Sequence, residues 1–170
     1  RYIATLLIIV LAASARLIPH PPNFAPIAGI SLFSGVKLNN KQAFLIPLSV
    51  MFISDMFLGF HSTMPYVYIS FAFIVLIGRF IKNKLNFRNL VLASLTSSVL
   101  FYILTNFGVW ASTNLYPRSL NGLFQSYILA LPFFKNTILS DQIYTLSLFY
   151  GYQFIEFLVK RFTFVKNNVK

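Results

Sequence analysis

Long apolar runs separated by short basic loops constrain this chain more than any other feature of its sequence. Residues 42–60 follow Lys41 and approach the ~20 residues that a helix needs to cross a bilayer. Residues 89–110 and 139–159 form runs of similar length. With 57% hydrophobic and 10% charged residues, the chain is more apolar than a soluble domain of 170 residues requires. The sequence therefore predicts one all-α domain, residues 1–170, embedded in a membrane.

The remaining apolar segments differ in length. Residues 2–18 and residues 66–78 are interpreted as further spans. Residues 27–36 reach only about half the ~20 residues of a spanning helix, so we expect a short or broken helix that is buried in protein. Residues 122–134 are also short, and we expect an outer helix that lies at the interface or re-enters the membrane.

The basic residues predict how these segments cross the bilayer. If residues 27–36 cross and residues 122–134 do not, only Arg16, Arg118 and Lys135 of the 14 Lys and Arg residues lie outside. Cytoplasmic loops of membrane proteins carry such an excess of positive charge. The sequence therefore predicts about six transmembrane helices with both termini cytoplasmic. In this topology the net charge of +11 faces lipid headgroups, so no nucleic-acid partner is expected.

Polar side chains gather at the outer end of this predicted bundle. An acid within a spanning helix costs roughly 2.5–3.5 kcal/mol on insertion scales, so it usually faces a partner or a wet cavity. Such a cluster with aromatic walls is typical of a small-molecule site. The candidate substrate-binding residues are Asp55, His61, Asn106, Trp110, Arg118, Gln125, Lys135, Asp141 and Tyr144.

Each candidate also has a plainer interpretation. Asp55 could form a hydrogen bond that fixes helix packing, and His61 could be an ordinary solvated histidine of a loop. Asp141 follows Ser140 at a predicted helix start, where an acid caps free N–H groups. Trp110 could be an interfacial anchor. Arg118 and Lys135, the remaining cations of the outer end, could attract an anionic group or contact lipid phosphate.

The sequence gives no sign of an enzyme, a metal site or a cofactor. The chain has no cysteine, and its two histidines, His20 and His61, are too far apart in sequence for metal-ligand spacing. No nucleophile elbow, phosphate-binding glycine loop or ATP-binding motif is present. A channel would need a continuous polar path, for which the inner half of the chain offers few side chains.

Five motifs occur in the order found in an uncharacterised family of small bacterial membrane proteins. They are NFAPIAG from Asn23, LFSG from Leu32, SDMFLGFH from Ser54, TNFGVW from Thr105 and LPFFKNT from Leu131. This resemblance covers nearly the whole chain. The family in turn is similar to the S components of energy-coupling-factor (ECF) vitamin transporters.

The second resemblance implies a fold and a function. S components are six-helix proteins that bind a vitamin or related micronutrient in an outward-facing pocket, and they partner with a membrane scaffold and two ATPases. The chain departs from their Ala-xxx-Ala pattern on the first helix, because Ala12 is followed four residues later by Arg16.

Two functions from different classes follow from these observations. The first is capture of a small polar, vitamin-like or weakly anionic solute for uptake, with Asp55 and Asp141 orienting donors of the solute. Asn106 and Gln125 would hydrogen-bond it, Trp110 and Tyr144 would stack on it, and Arg118 or Lys135 would balance its charge. The alternative is an accessory subunit that packs within a larger membrane complex and binds no solute. In that case, side chains should fill the outer cavity.

Overall fold

The structure of the chain is a computed structural model that describes residues 21–168 and, before them, Leu7, Val10, Leu11 and Ser14. Side chains are described as far as Phe162. Those four early residues are helical, but the rest of the predicted span 2–18 lies outside the described residues, as do Arg16 and His20.

The described part of the chain is all-helical, as predicted. Its α-helices are α1 (Ile27–Lys37), α2 (Asn40–Leu58), α3 (Met64–Ile81), α4 (Phe87–Ser112), α5 (Leu120–Ile128) and α6 (Leu131–Asn168). A single 3-10 turn, Lys82–Lys84, continues α3.

Three stretches of the described chain are long and apolar enough to cross a membrane: Asn40–Leu58, Met64–Lys84 and Phe87–Ser112. This number is lower than the six spans expected. At about 1.5 Å per residue, the 11 residues of α1 extend only about 16 Å, roughly half the hydrocarbon thickness of a bilayer. The long helix α6 is not among the three because Asp141, Gln142 and other polar residues interrupt its apolar sequence.

The short helix α1 lies at the centre of the described helices. It contacts α2, α3, α4 and α6, and its residues from Ile27 to Val36 are all buried. A helix that is apolar on every side is buried on every side, which its sequence predicts. Phe33 packs edge-on against Phe149 and Tyr152 of α6, with ring centroids 5.1 and 5.4 Å apart. The prediction of a short helix buried in protein is therefore confirmed.

Glycines allow α1 to approach its neighbours closely. A Cβ atom at Gly35 would overlap the backbone carbonyl of Val75 in α3 and lie 3.0 Å from the Cα of Gly78. A Cβ atom at Gly29 would come within 3.1–3.2 Å of Tyr144 and Thr145 in α6. Gly29 lies four residues after Ala25, and Gly35 lies four residues after Ser31. This small-xxx-small spacing predicts a close approach of helices.

Local capping sets the ends of α2 and α4. The Asn39 side chain accepts a hydrogen bond from the Gln42 backbone N–H, so α2 begins at Asn40 rather than at residue 42. Gly59 ends the helix two residues before the predicted boundary, with a φ of 97° that favours glycine. Asn86 caps α4 in the same way, through the Asn89 N–H.

The boundary between the last two helices differs from the prediction. The outer segment is the nine-residue helix α5, which ends at Ile128, and α6 already begins at Leu131 instead of residue 139. Pro132 lies in the first turn of α6. Backbone N–H groups there have no acceptor within the helix, so the missing N–H of proline breaks no helical hydrogen bond. The backbone N–H groups of Phe133 and Phe134 both bond to the Ala130 carbonyl and start the new helix.

Large hydrophobic side chains cover the exposed faces of the helices. Phe57 of α2 and Phe80 of α3 are each 78% exposed, and many other Phe, Leu and Ile residues of α2, α3, α4 and α6 are about half exposed. Soluble proteins rarely expose so continuous an apolar surface. Together with the three candidate spans, these faces indicate a membrane protein.

Candidate functional site

A cavity of about 630 Å³ lies at one end of the described bundle. The first turn of α1, the C-terminal halves of α2 and α4 and the N-terminal halves of α3 and α6 surround it. Its lining residues are Asn23, Ala25, Ile27, Ala28, Met51, Leu58, His61, Thr63, Val67, Phe71, Phe101, Thr105, Asn106, Val109, Ala130, Phe133, Thr137 and Asp141. Lys41, Lys82, Lys84 and Arg88 lie at the opposite end, where α2 and α4 begin and α3 ends.

Asp141 is the acidic residue of this cavity. It is only 3% exposed, and its Oδ2 accepts a hydrogen bond of 2.6 Å from the Ser98 hydroxyl of α4. Within the described chain, its carboxyl group has no other hydrogen-bond partner. One side of the carboxyl group is therefore fixed by the protein, and the residue contributes to the cavity wall.

The position of Asp141 within α6 overturns one interpretation of the sequence. Because the helix begins at Leu131, Asp141 lies several turns inside it and cannot cap its N-terminus. Instead it shares a face with Thr137 and Phe133, at intervals of four residues, and all three line the cavity. This spacing was a signal in the sequence, but the predicted start of the helix at residue 139 concealed it.

Two further candidates, His61 and Asn106, also line the cavity. His61 is exposed in the loop after α2, where its Nδ1 lies 2.7 Å from the Thr63 hydroxyl oxygen. Asn106 is half-buried in α4, and its side-chain N–H donates to the Tyr102 carbonyl at 2.8 Å. The amide oxygen of Asn106 and the imidazole of His61 add polar groups to a mostly apolar wall.

The proline-rich turn before α1 forms part of the rim. Asn23 has a φ of 61° and lines the cavity together with Ala25. Two side chains of α6 hold this turn in place: Ser140 donates to the Ala25 carbonyl at 3.0 Å, and Asn136 donates to the Pro22 carbonyl at 3.1 Å. The turn is thus attached to the same helix that carries Asp141.

Asp55, the first acid of the chain, does not line the cavity. It is 1% exposed near the end of α2, and its Oδ2 accepts a hydrogen bond of 2.8 Å from the Tyr68 hydroxyl of α3. This contact joins two neighbouring helices, as the packing interpretation of Asp55 expects. A typical intramolecular hydrogen bond contributes about 0.5–1.5 kcal/mol to stability.

The remaining candidates lie around the cavity end but outside the lining. Trp110 donates from its indole N–H to the Pro117 carbonyl at 3.0 Å, and the Arg118 guanidinium bonds to the Trp110 carbonyl. Gln125 and Lys135 are exposed. The ring of Tyr144 contacts Phe24 edge-on, with centroids 5.9 Å apart. The structure thus separates these five side chains from His61, Asn106 and Asp141.

Polar residues recur every four positions on one face of α4, from Ser94 to Trp110, and this face meets protein rather than the cavity over most of its length. Ser94 and Ser98 are buried, and the Tyr102 hydroxyl donates to the Tyr127 carbonyl of α5. The cavity wall is formed by the neighbouring face, on which Phe101, Thr105 and Val109 recur every four residues. Phe101 and Val109 were not among the residues predicted to line a site. Apolar residues of a cavity wall resemble an ordinary packing face in a sequence.

The charge of the cavity is unlike that of the whole chain. Although the sequence has 14 Lys and Arg against three Asp and Glu, the described lining contains Asp141 and neither lysine nor arginine. Among the described residues, no group of three or more His, Cys, Asp or Glu side chains is placed to hold a metal ion. What this arrangement offers a small molecule is one carboxyl group, an amide, an imidazole, several hydroxyl groups and aromatic walls.

Comparison with known proteins places the chain in a family but assigns no function. No curated protein and no solved structure matches it. The similarity to ECF S components therefore stays a prediction. A family model, described as a family of unknown function (DUF6580), matches residues 1–163. The chain thus belongs to DUF6580, a family of unknown function, and to that extent the resemblance seen in its motifs is confirmed.

Proposed function

We propose that this protein is a membrane-embedded binding subunit that captures a small solute for uptake. The observation that carries the proposal is the cavity of about 630 Å³ at one end of the bundle, lined by Asp141, Asn106 and His61. Ligand pockets typically measure about 300–1,000 Å³ and combine apolar walls with a few convergent polar groups. Both properties are present in this cavity.

The way the cavity is built also supports a binding role. Five helices contribute to its lining, and the polar groups come from different elements: His61 from a loop, Asn106 from α4 and Asp141 from α6. A buried carboxyl group far from the helix N-terminus destabilises a membrane helix unless a partner compensates it. Ser98 is one such partner, and a solute in the cavity is a second.

The proposal includes a topology of six crossings in a bacterial inner membrane. Besides the three apolar stretches, α1, α6 and the segment before residue 21 would cross. Helix α1 contacts four neighbouring helices. Because protein surrounds it, α1 does not need the full length of a helix that crosses lipid alone. The polar Ser140, Asp141 and Thr145 of α6 are buried against protein. The basic end of the bundle and both termini would face the cytoplasm, and the cavity would open outward.

Energy for uptake would come from other chains, because the sequence has no ATP-binding motif. Membrane scaffold and ATPase subunits, of the kind that S components use, are the proposed partners. The accessory-subunit alternative requires that side chains fill the cavity. The open volume between the described helices favours solute capture over that alternative.

The proposal can be tested by affinity selection from a cell extract of small metabolites. Val109 lines the cavity, whereas Val99 of the same helix is 45% exposed, so Val109→Trp should obstruct the cavity and Val99→Trp should not. We expect the wild-type protein and Val99→Trp to retain the same metabolite, and Val109→Trp to lose it. Equal retention by all three proteins, or by none, would contradict the proposal.

A further inference from the structure

We infer that the cavity selects solutes that carry a protonated amine, or a similar cationic donor, on an apolar body. This inference rests on the proposed function, since it names the chemical class of solute that the same cavity would bind. It replaces the weakly anionic solute expected from the sequence. Three features of the cavity support it: the charge of the lining, the fixed geometry of Asp141 and the aromatic walls.

The charge of the cavity lining disfavours an anionic solute. Asp141 is the acid of the described lining, which includes neither lysine nor arginine. The two cations expected to balance an anionic solute lie elsewhere: Arg118 bonds to the Trp110 carbonyl, and Lys135 is exposed on α6. Among the described residues, an anionic solute would therefore meet a carboxyl group without a compensating cation. In a medium of low dielectric, such a like-charge contact is strongly unfavourable.

The second step concerns Asp141 itself. Only 3% of the surface of Asp141 is exposed. The Ser98 hydroxyl donates a hydrogen bond to its Oδ2 from one side. Because no second hydrogen-bond partner is found in the described chain, the carboxyl group retains acceptor capacity. An ammonium group is a pure donor with a complementary charge, and its hydrogen bonds to a carboxylate are among the stronger ones in proteins.

The third step concerns the rest of the solute. Phe71, Phe101 and Phe133 line the cavity, and the rings of Phe71 and Phe101 lie 5.2 Å apart between centroids. Such walls favour an apolar or aromatic body by burial. Aromatic rings also attract organic cations through their faces. Asn106 and His61 add polar groups with which further donors or acceptors of the solute can interact.

Three probes with one phenyl body and different head groups separate the alternatives: 2-phenylethylamine, 2-phenylethanol and 3-phenylpropanoate. The affinity of each is measured from the shift in thermal unfolding of the full chain in lipid nanodiscs. We expect the amine to bind at least tenfold more tightly than the alcohol, and the carboxylate to be the weakest. A tenfold difference corresponds to about 1.4 kcal/mol, a modest value for one compensated charge.

Variants locate the effect. Asp141→Asn should abolish the preference for the amine over the alcohol, because the negative charge is lost. Glu156→Gln is the matched control, since Glu156 is also a carboxylate of α6 but accepts a hydrogen bond from Tyr152 far from the cavity. It should leave the preference unchanged. The ranking of the three probes on the wild-type protein needs no variant, so a failure of Asp141→Asn to fold does not remove the test.

The possible outcomes distinguish this inference from the function on which it rests. If the alcohol or the carboxylate binds as well as the amine, the cationic class is wrong while solute capture stands. If the amine preference survives in Asp141→Asn, the assignment of Asp141 is overturned. If none of the three probes shifts the unfolding temperature, the cationic class is wrong, and the affinity selection from a metabolite extract then decides whether solute capture stands.

Discussion

Asp141 depends on one hydroxyl group of a neighbouring helix. Ser98→Ala removes the donor to Oδ2, and the loss of a hydrogen-bond partner from a buried polar group costs about 1–3 kcal/mol. We therefore expect Ser98→Ala to lower the thermal unfolding temperature of the protein in detergent.

Thr96→Ala is the control for this change. Thr96 is an exposed residue of the same helix, and its hydroxyl donates only to the Leu92 carbonyl within its own helix. A surface substitution of this kind should change stability by no more than about 0.5 kcal/mol. Equal effects of the two variants would show that the bond between Ser98 and Asp141 does not stabilise the fold.

Individual polar residues were only partly predictable from the sequence. The convergence of His61, Asn106 and Asp141 follows from their positions near the same ends of their helices, which the order of spans predicts. The sequence did not separate Asp141 from Asp55, because it does not show which face of a helix meets a cavity and which meets a tyrosine. The structure makes that distinction through Ser98 and Tyr68.

At the scale of elements, the contact between α1 and α3 requires a glycine. A Cβ atom at Gly35 would meet backbone atoms of Val75 and Gly78, which cannot move aside as a flexible side chain can. We expect Gly35→Ala to destabilise the protein by about 1–3 kcal/mol, the usual cost of overpacking. Thermal unfolding of the purified protein measures this effect.

Gly151→Ala is the matched control, because a Cβ atom there would have no other heavy atom within 4 Å. Alanine inside a helix is favoured over glycine by about 0.5–1 kcal/mol, so this variant should be neutral or slightly more stable. If Gly35→Ala behaved like Gly151→Ala, the close packing of α1 against α3 would be wrong.

The elements themselves were largely predictable, and their errors have local causes. The apolar segment 27–36 corresponds closely to α1, since burial on all sides leaves a continuous apolar run. The start of α6 was missed by eight residues because Pro132 suggested the end of a helix, whereas it occupies a first turn. A proline at the end of one helix and a proline in the first turn of the next look alike in a sequence. Only the backbone hydrogen bonds of the residues after the proline distinguish these two positions.

For the whole molecule, the proposed six-crossing topology makes a prediction about accessibility. The sequence has no cysteine, so each single-cysteine variant carries one reactive thiol. Ser62→Cys and Asn114→Cys lie at the cavity end, and Lys41→Cys and Lys84→Cys lie at the basic end; all four positions are exposed. A membrane-impermeant thiol reagent should label the first pair in intact cells and the second pair only after permeabilisation.

Labelling of Lys84→Cys in intact cells would mean that the basic end of the bundle faces outward. This result would contradict the outward-facing cavity. Charge distribution is the basis of this prediction, because basic residues cluster where α2 and α4 begin and α3 ends. The described chain has three stretches long and apolar enough to cross, fewer than the six crossings expected. Short or polar helices such as α1 and α6 acquire their place from contacts with other helices rather than from their own apolarity.

Native mass spectrometry of the protein, extracted gently from its own membrane, would show whether the cavity holds a solute. We expect one bound small molecule per chain in the wild-type protein and in Val99→Trp, and none in Val109→Trp, whose indole obstructs the cavity. A wild-type protein that carries no small molecule, but is recovered with a stoichiometric partner chain, would contradict solute capture and favour the accessory-subunit function.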